Sequence, residues 1–131
     1  MRPGEELPAQ SYRVTRADLV RYAGASGDFN PIHWSDRVAS SVGLPGVVAH
    51  GMYTMALAGR ALDSWAGQPG RVRELRCKFT KPVLVPDDDQ GAEVVVAGTV
   101  REVTDEGVAV ALEVTCAGVK VLGAPMAVLS P

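Results

Sequence analysis

An apolar stretch from Gly51 to about Trp65 constrains the fold more than any other part of the sequence. Its residue types favour a helix, and its charged side chains are Arg60 and Asp63. A helix that is apolar almost all round is normally buried, here against a sheet. Several small residues would let strands approach it closely, namely Ala56, Ala58, Gly59 and Ala61. The glycines and proline of residues 67–70 end this predicted helix.

The second half of the chain consists of strand patterns separated by turn residues. Apolar and polar side chains alternate from Leu75 to Thr80, which is the period of a strand with one buried face. The other predicted strands are Gln10–Val14, Ala92–Val103, Val108–Cys116 and Val119–Leu129. Because the links between the later strands are short, these neighbours must run antiparallel. We therefore predict an α+β fold in which a five-stranded antiparallel sheet curls around one long central helix.

Length and composition favour one globular domain over residues 1–131. A net charge of −2 gives no reason to expect nucleic acid as a partner. Cys77 and Cys116 lie in apolar strand patterns, so we interpret them as small buried side chains rather than as disulfide or metal ligands. The sequence has no secretory signal and no apolar run of ~20 residues, so we expect a cytoplasmic protein without a membrane partner.

A loop from Asp28 to His33 lies between two short predicted helices. The first helix is predicted to begin at a Thr15–Asp18 capping box, and the second to run from Asp36 to about Val42. Pro31 disfavours the helical conformation for the residue before it, so the segment between the helices must be a loop.

The loop brings together a carboxylate and an imidazole. On a loop, Asp28 and His33 can converge on one point, whereas the same spacing on a continuous helix would separate them. A helix N-terminus after His33 disfavours the imidazolium, and a nearby Asp28 carboxylate favours it. A histidine balanced in this way can exchange a proton near neutral pH, which suits acid–base catalysis. The alternative is an ordinary turn, since Asp and Asn side chains commonly bond their own backbone.

This loop closely resembles the hydratase signature of the MaoC-like, (R)-specific enoyl-thioester hydratase/dehydratase family. The matching residues are Tyr22-Ala23, Ser26-Gly27-Asp28, Asn30-Pro31-Ile32-His33, Gly43-Leu44, Ala49-His50-Gly51-Met52 and Arg76-x-Lys78-Phe79-x-x-Pro82-Val83. Within the family, Trp34 and the helix end at residues 63–67 are most similar to one subgroup. That subgroup is the catalytic B subunit of the actinobacterial (3R)-hydroxyacyl-carrier-protein dehydratases that act in mycolic-acid elongation.

The resemblance implies the hotdog fold and a reaction on acyl thioesters of coenzyme A or acyl carrier protein. Water would add to a trans-2-enoyl thioester, or leave the (3R)-3-hydroxyacyl form, with no cofactor besides the thioester carrier. Asp28 and His33 correspond to the dyad that holds and activates the water, and we favour His33 as the base at carbon 2. Asn30 would support the loop. The family also implies a homodimer, or a heterodimer with a related hotdog subunit.

Further assignments concern the start of the long helix. The backbone N–H of Gly51 is our candidate for stabilising the thioester oxyanion, and tight packing between helix and turn is the alternative. Met52, Tyr53 and Met55 are candidates for lining an acyl tunnel, with core packing as the alternative. We interpret His50 as structural, because a dyad needs only one tuned imidazole. Two histidines without clustered cysteines or carboxylates argue against a metal site.

The sequence also contains a basic run that has two possible roles. The run, which suits either acidic thioester carriers or a solvated sheet face, consists of Arg71, Arg73, Arg76 and Lys78.

Two rival functions are also considered. A thioesterase on the same fold would need a carboxylate on the long helix, where Asp63 lies near the far end. A binding subunit without chemistry is the second rival, and the intact Asp28, Asn30 and His33 argue against it.

Overall fold

The computed structural model describes residues 1–131 and has the predicted order of elements. Its helices are α1 (Arg16–Ser26), α2 (Asp36–Ser41) and α3 (Gly51–Ala66). Its strands are β1 (Glu6–Val14), β2 (Val72–Phe79), β3 (Ala92–Thr104), β4 (Gly107–Cys116), β5 (Val119–Lys120) and β6 (Leu122–Leu129). A single 3-10 turn, Pro31–His33, lies between α1 and α2. The helix and strand types thus follow the patterns of the sequence.

The strands form an antiparallel sheet in the order β1-β3-β4-β6-β2, and the two-residue β5 pairs with β4 off this path. The predicted α+β class with an antiparallel sheet is confirmed, and β5 adds a short sixth strand to the five that were predicted. The predicted strand Val119–Leu129 is divided into β5 and β6. Its pairing shifts register near Ala124, whose left-handed φ of 44° interrupts a regular strand.

The core lies between α3 and the concave side of the sheet. Leu57, Ala58, Ala61 and Leu62 are all buried on one face of α3 and belong to the same cluster as the valines of β3 and β4. At the far end of the helix, the indole N–H of Trp65 donates to the carbonyl of Pro8 at 2.8 Å. A buried apolar face of this size stabilises the helix by removing hydrocarbon from water. No helix is long and apolar enough to span a bilayer.

The segment that leads into α3 is fixed from two sides. Residues 47–49 pair with residues 83–85 through an antiparallel bridge and two backbone hydrogen bonds of 2.9 Å. On the opposite side, the N–H of Val48 donates to the carbonyl of Ile32 at 3.2 Å. These bonds hold the start of α3 next to the loop that carries Asp28 and His33.

Candidate active site

Side chains brace the 28–33 loop through three hydrogen bonds to its own backbone. The Ser26 hydroxyl accepts from the N–H of Asp28 at 3.1 Å, and the Asp28 carboxylate accepts from the N–H of Asn30 at 3.1 Å. The Asn30 side-chain oxygen in turn accepts from the N–H of Ile32 at 3.2 Å. The loop is therefore also a turn whose side chains bond its own backbone. This turn uses Oδ1 of Asp28 as an acceptor, whereas Oδ2 of Asp28 faces His33.

The hydrogen bonds of His33 determine which ring nitrogen carries a proton. His33 is buried, and its Nδ1 lies 2.7 Å from the carbonyl oxygen of Val48. A carbonyl can only accept, so Nδ1 must be the donor. In the neutral ring, Nε2 then carries the lone pair, and it lies 3.8 Å from Oδ2 of Asp28. That separation is too long for a direct hydrogen bond, and it leaves both atoms available to one bound oxygen.

His50 lies directly against His33 and has the opposite arrangement. The two rings stack with their centroids 3.8 Å apart and their planes inclined by 21°. Nε2 of His50 donates to the main-chain carbonyl of Asp28 at 3.1 Å, and its buried Nδ1 has no hydrogen-bond partner. Burial lowers the pKa of His50, although the bond to the Asp28 carbonyl acts in the other direction. His50 thus connects the start of α3 to the loop through a hydrogen bond, and burial favours its uncharged form.

The ligand atoms of Asp28, His33 and His50 lie within 4.8 Å of one another, so these residues are the group that could hold a metal ion. A shared ion would have to lie in the plane of both imidazoles, on their lone-pair axes. Nearly parallel rings with centroids 3.8 Å apart do not direct two in-plane lone pairs at one point. The geometry argues for acid–base work by these groups rather than for joint metal binding.

A cavity of about 320 Å³ opens beside His33, and Gly51 and Thr54 are also among its lining residues. Gly51 is the first residue of α3, where N–H groups have no intrahelical acceptor, and the N-cap residue His50 supplies no side-chain cap. The N–H of Gly51 makes no backbone hydrogen bond. The packing alternative for Gly51 is supported as well, because a Cβ there would lie 2.7 Å from the ring of Phe79.

The predicted tunnel residues do not line this cavity, which is bordered on the helix side by Gly51 and Thr54. Successive helical residues point in directions about 100° apart, so Met52, Tyr53 and Met55 face elsewhere. Met52 is exposed, and the ring of Tyr53 packs against the core. The tunnel assignment therefore does not apply to this cavity. Thr54 was missed, although its helical spacing from Gly51 could have identified it.

The basic run divides into packing and surface residues. Arg71 donates to the carbonyl oxygens of Ala66 and Ser130, and Arg73 donates to the carbonyl of Glu106. Arg71 thus ties the C-terminal end of α3 to the residue after β6, and Arg73 ties β2 to the turn between β3 and β4, which favours the structural interpretation for these two side chains. Arg76 and Lys78 are exposed on β2, the edge strand, with Arg76 3.7 Å from a carboxylate on the same strand.

Comparison with known proteins identifies the family. Residues 1–117 match the model of the family described as "MaoC like domain". The chain belongs to this family. A 79-residue stretch is 43% identical to 3-hydroxyacyl-thioester dehydratase X of Mycobacterium tuberculosis, covering 60% of this chain and 27% of that protein. The chain thus spans about a quarter of the length of this curated relative.

Solved structures of MaoC-like proteins share the whole fold. One protein, described as a MaoC-like dehydratase, superposes with a TM-score of 0.94 at 34% identity, over 99% of this chain and 40% of that one. The (R)-hydratase from A. caviae involved in PHA biosynthesis superposes with a TM-score of 0.86 at 22% identity, over 99% of this chain and 96% of that chain. The hotdog fold implied by the signature residues is therefore confirmed.

Proposed function

We propose that this MaoC-like chain is an (R)-specific hydratase/dehydratase that interconverts trans-2-enoyl and (3R)-3-hydroxyacyl thioesters. The observation that carries the proposal is the pairing of a histidine nitrogen and a carboxylate oxygen, Nε2 of His33 and Oδ2 of Asp28, 3.8 Å apart beside a cavity. The 43% identity to a 3-hydroxyacyl-thioester dehydratase supports the same reaction class. Residues 1–131 would act as one MaoC-like unit.

In the dehydration direction, neutral His33 removes the proton from carbon 2 through Nε2. The electron pair moves toward the thioester carbonyl, whose oxygen gains negative charge near the free N–H of Gly51. The bond between carbon 3 and its hydroxyl then breaks, and the His33 imidazolium returns the proton to the departing oxygen, which leaves as water. Asp28 stays a carboxylate, accepts a hydrogen bond from that oxygen and stabilises the imidazolium. Hydration is the reverse, so neither residue changes its protonation over a complete turnover.

The substrate would arrive as a thioester of coenzyme A or of acyl carrier protein, and the mechanism uses no other cofactor. The exposed Arg76 and Lys78 are available for the acidic groups of either carrier. We extend the proposal to assembly: the chain works as a homodimer or as the catalytic member of a heterodimer with a related hotdog subunit. The similarity of residues 63–67 and Trp34 to a dehydratase B subunit favours the second arrangement.

The experiment is to follow the enoyl-thioester absorbance of crotonyl-CoA with the purified chain, and to determine the configuration of the product. The proposal predicts loss of the band and formation of (3R)-3-hydroxybutyryl-CoA. If crotonyl-CoA is unchanged, longer enoyl-CoA and enoyl-carrier-protein substrates are assayed at once. Absence of hydration with all of them, by the chain alone and by the complex of the chain with any subunit that co-purifies with it, or a (3S) product, would contradict the proposed function.

The thioesterase alternative is tested in the same cuvette by measuring free thiol. Asp63 lies near the C-terminal end of α3 and is not among the residues that line the cavity beside His33. We therefore expect no thiol release above the rate of the uncatalysed control. Thiol release that disappears in Asp63→Asn would favour a thioesterase.

A further inference from the structure

Thr54 is a polar residue of α3 whose side chain borders the cavity and makes no hydrogen bond with another protein side chain. Its side chain is 4% exposed and lines the same cavity as His33. A threonine inside a helix often bonds its hydroxyl to the carbonyl one turn earlier. The Thr54 side chain makes no such bond, and its hydroxyl is not among the sealed, unsatisfied atoms of the core. The hydroxyl is therefore reachable from the cavity, and a group that enters the cavity can be its hydrogen-bond partner.

Helix geometry places the side chain of Thr54 over the first turn of α3, on the side of Gly51. Residues three positions apart share one face of a helix, and helical side chains lean toward the N-terminus. The side chain of Thr54 therefore covers the first turn of α3, where the N–H of Gly51 has no acceptor. Thr54 and Gly51 border the same cavity, and the hydroxyl and the N–H are both hydrogen-bond donors. No side chain caps this end of the helix.

We infer that Thr54 is a further catalytic residue, whose hydroxyl donates a hydrogen bond to the thioester carbonyl oxygen together with the N–H of Gly51. The inference rests on the proposed function. Two donors at one oxygen stabilise the negative charge that develops there when the proton leaves carbon 2. The hydroxyl keeps its own proton throughout, so Thr54 takes no part in proton transfer by His33.

The first test compares Thr54→Val with Thr54→Ser. Valine keeps the branched shape and removes the hydroxyl, whereas serine keeps the hydroxyl and removes a methyl group. We expect Thr54→Val to lower kcat for hydration by about 10- to 100-fold with little change in KM, because a donor to the transition state is lost. Thr54→Ser should keep most of the activity. Wild-type activity in Thr54→Val, or equal losses in both variants, would overturn the inference.

A binding measurement separates this role from a purely structural one. In the Asp28→Asn protein, where we expect turnover to be slow, 2,4-hexadienoyl-CoA is added and its absorption maximum recorded. Donors to the carbonyl polarise the conjugated thioester, so the bound ligand should absorb at longer wavelength than the free ligand. Adding Thr54→Val should reduce this shift while thermal unfolding stays within a few degrees of the parent protein. An unchanged shift would overturn the inference.

The two proposals fail in different ways. If the wild-type chain hydrates no enoyl thioester of any length, either alone or in a complex that co-purifies with it, the proposed function fails and the role of Thr54 fails with it. If the wild type is active and Thr54→Val is equally active, the role of Thr54 alone is refuted. Activity that is lost in Thr54→Val and restored in Thr54→Ser supports both.

Discussion

His33 and His50 are stacked neighbours of the same residue type, yet their hydrogen bonds assign them different work. His33 uses Nδ1 to hold the carbonyl of Val48, which leaves Nε2 facing the carboxylate of Asp28. His50 uses Nε2 to hold the main chain of Asp28, which leaves Nδ1 buried without a partner. The backbone acceptor, and not burial or ring position, therefore decides which histidine can act as a base.

Replacing His33 should give the largest effect. His33→Gln removes the base, so we expect kcat for hydration of crotonyl-CoA to fall by about 10²- to 10⁴-fold. Asp28→Asn removes the charge that holds the reacting oxygen and should cause a loss of similar order. Asp63→Asn is the matched carboxylate control, since Asp63 is remote from the cavity. Retained activity in either dyad variant that is folded would show that the loop is only a turn.

Two replacements of His50 test its hydrogen bond to Asp28 and its ring stack on His33 separately. His50→Gln places an amide donor where Nε2 reaches Asp28, whereas His50→Phe keeps a ring against His33 and loses the donor. If the tie to Asp28 positions the dyad, His50→Phe should lose about tenfold in kcat with KM unchanged, and His50→Gln should lose less. The reverse order would mean that the ring stack, not the hydrogen bond, positions the dyad.

At the start of α3, the packing of Gly51 and the hydrogen bonding of its N–H can be tested separately. In Gly51→Ala, the new methyl group would lie 2.7 Å from the ring of Phe79. Overpacking of this kind should lower the free energy of unfolding by roughly 1–3 kcal/mol. The double variant with Phe79→Ala should recover stability, since that ring is largely exposed. Because alanine at position 51 keeps the backbone N–H, the double variant should also recover hydratase activity when it recovers stability. Persistent inactivity would mean that the methyl group itself blocks the substrate.

The smallest effect concerns pH. Burial holds the pKa of His50 below its ordinary value of 6.5, so the unfolded chain binds a proton there that the folded chain does not. The free energy of unfolding should therefore fall as pH drops below about 6.5. His50→Phe lacks this contribution, so its slope of unfolding free energy against pH should be smaller between pH 6.5 and 5. Denaturant titrations at several pH values measure it, and identical slopes would contradict the assignment.

Much of the fold was readable from local patterns. The apolar stretch at residues 51–65 predicted α3 almost to the residue, and the Thr15 N–H does donate to Asp18 as a capping box requires. Pro31 correctly placed a loop between the first two helices. These features depend on neighbours in sequence, so propensity and periodicity capture them.

Contacts between distant segments were not readable. The stack of His33 on His50 depends on the hydrogen bonds of Val48 with Ile32 and His33, which hold the loop against the segment that leads into α3. Nor do local patterns reveal the left-handed φ of Ala124 within β6, beside which the pairing with β2 shifts register. The apolar pattern of α3 alone does not select the face that borders the cavity, which is why the predicted tunnel contains Met52 and not Thr54; only the spacing of Thr54 from Gly51 points to that face.

The tautomers of the two histidines provide the most direct test. The chain has two histidines, so long-range proton–nitrogen NMR correlations of imidazole-labelled protein contain two rings, and His33→Gln assigns them. Near neutral pH we predict that His33 carries its proton on Nδ1 with an unprotonated Nε2, and that His50 carries its proton on Nε2. A protonated Nε2 in neutral His33, or the same tautomer in both rings, would contradict the assignment of His33 as the base.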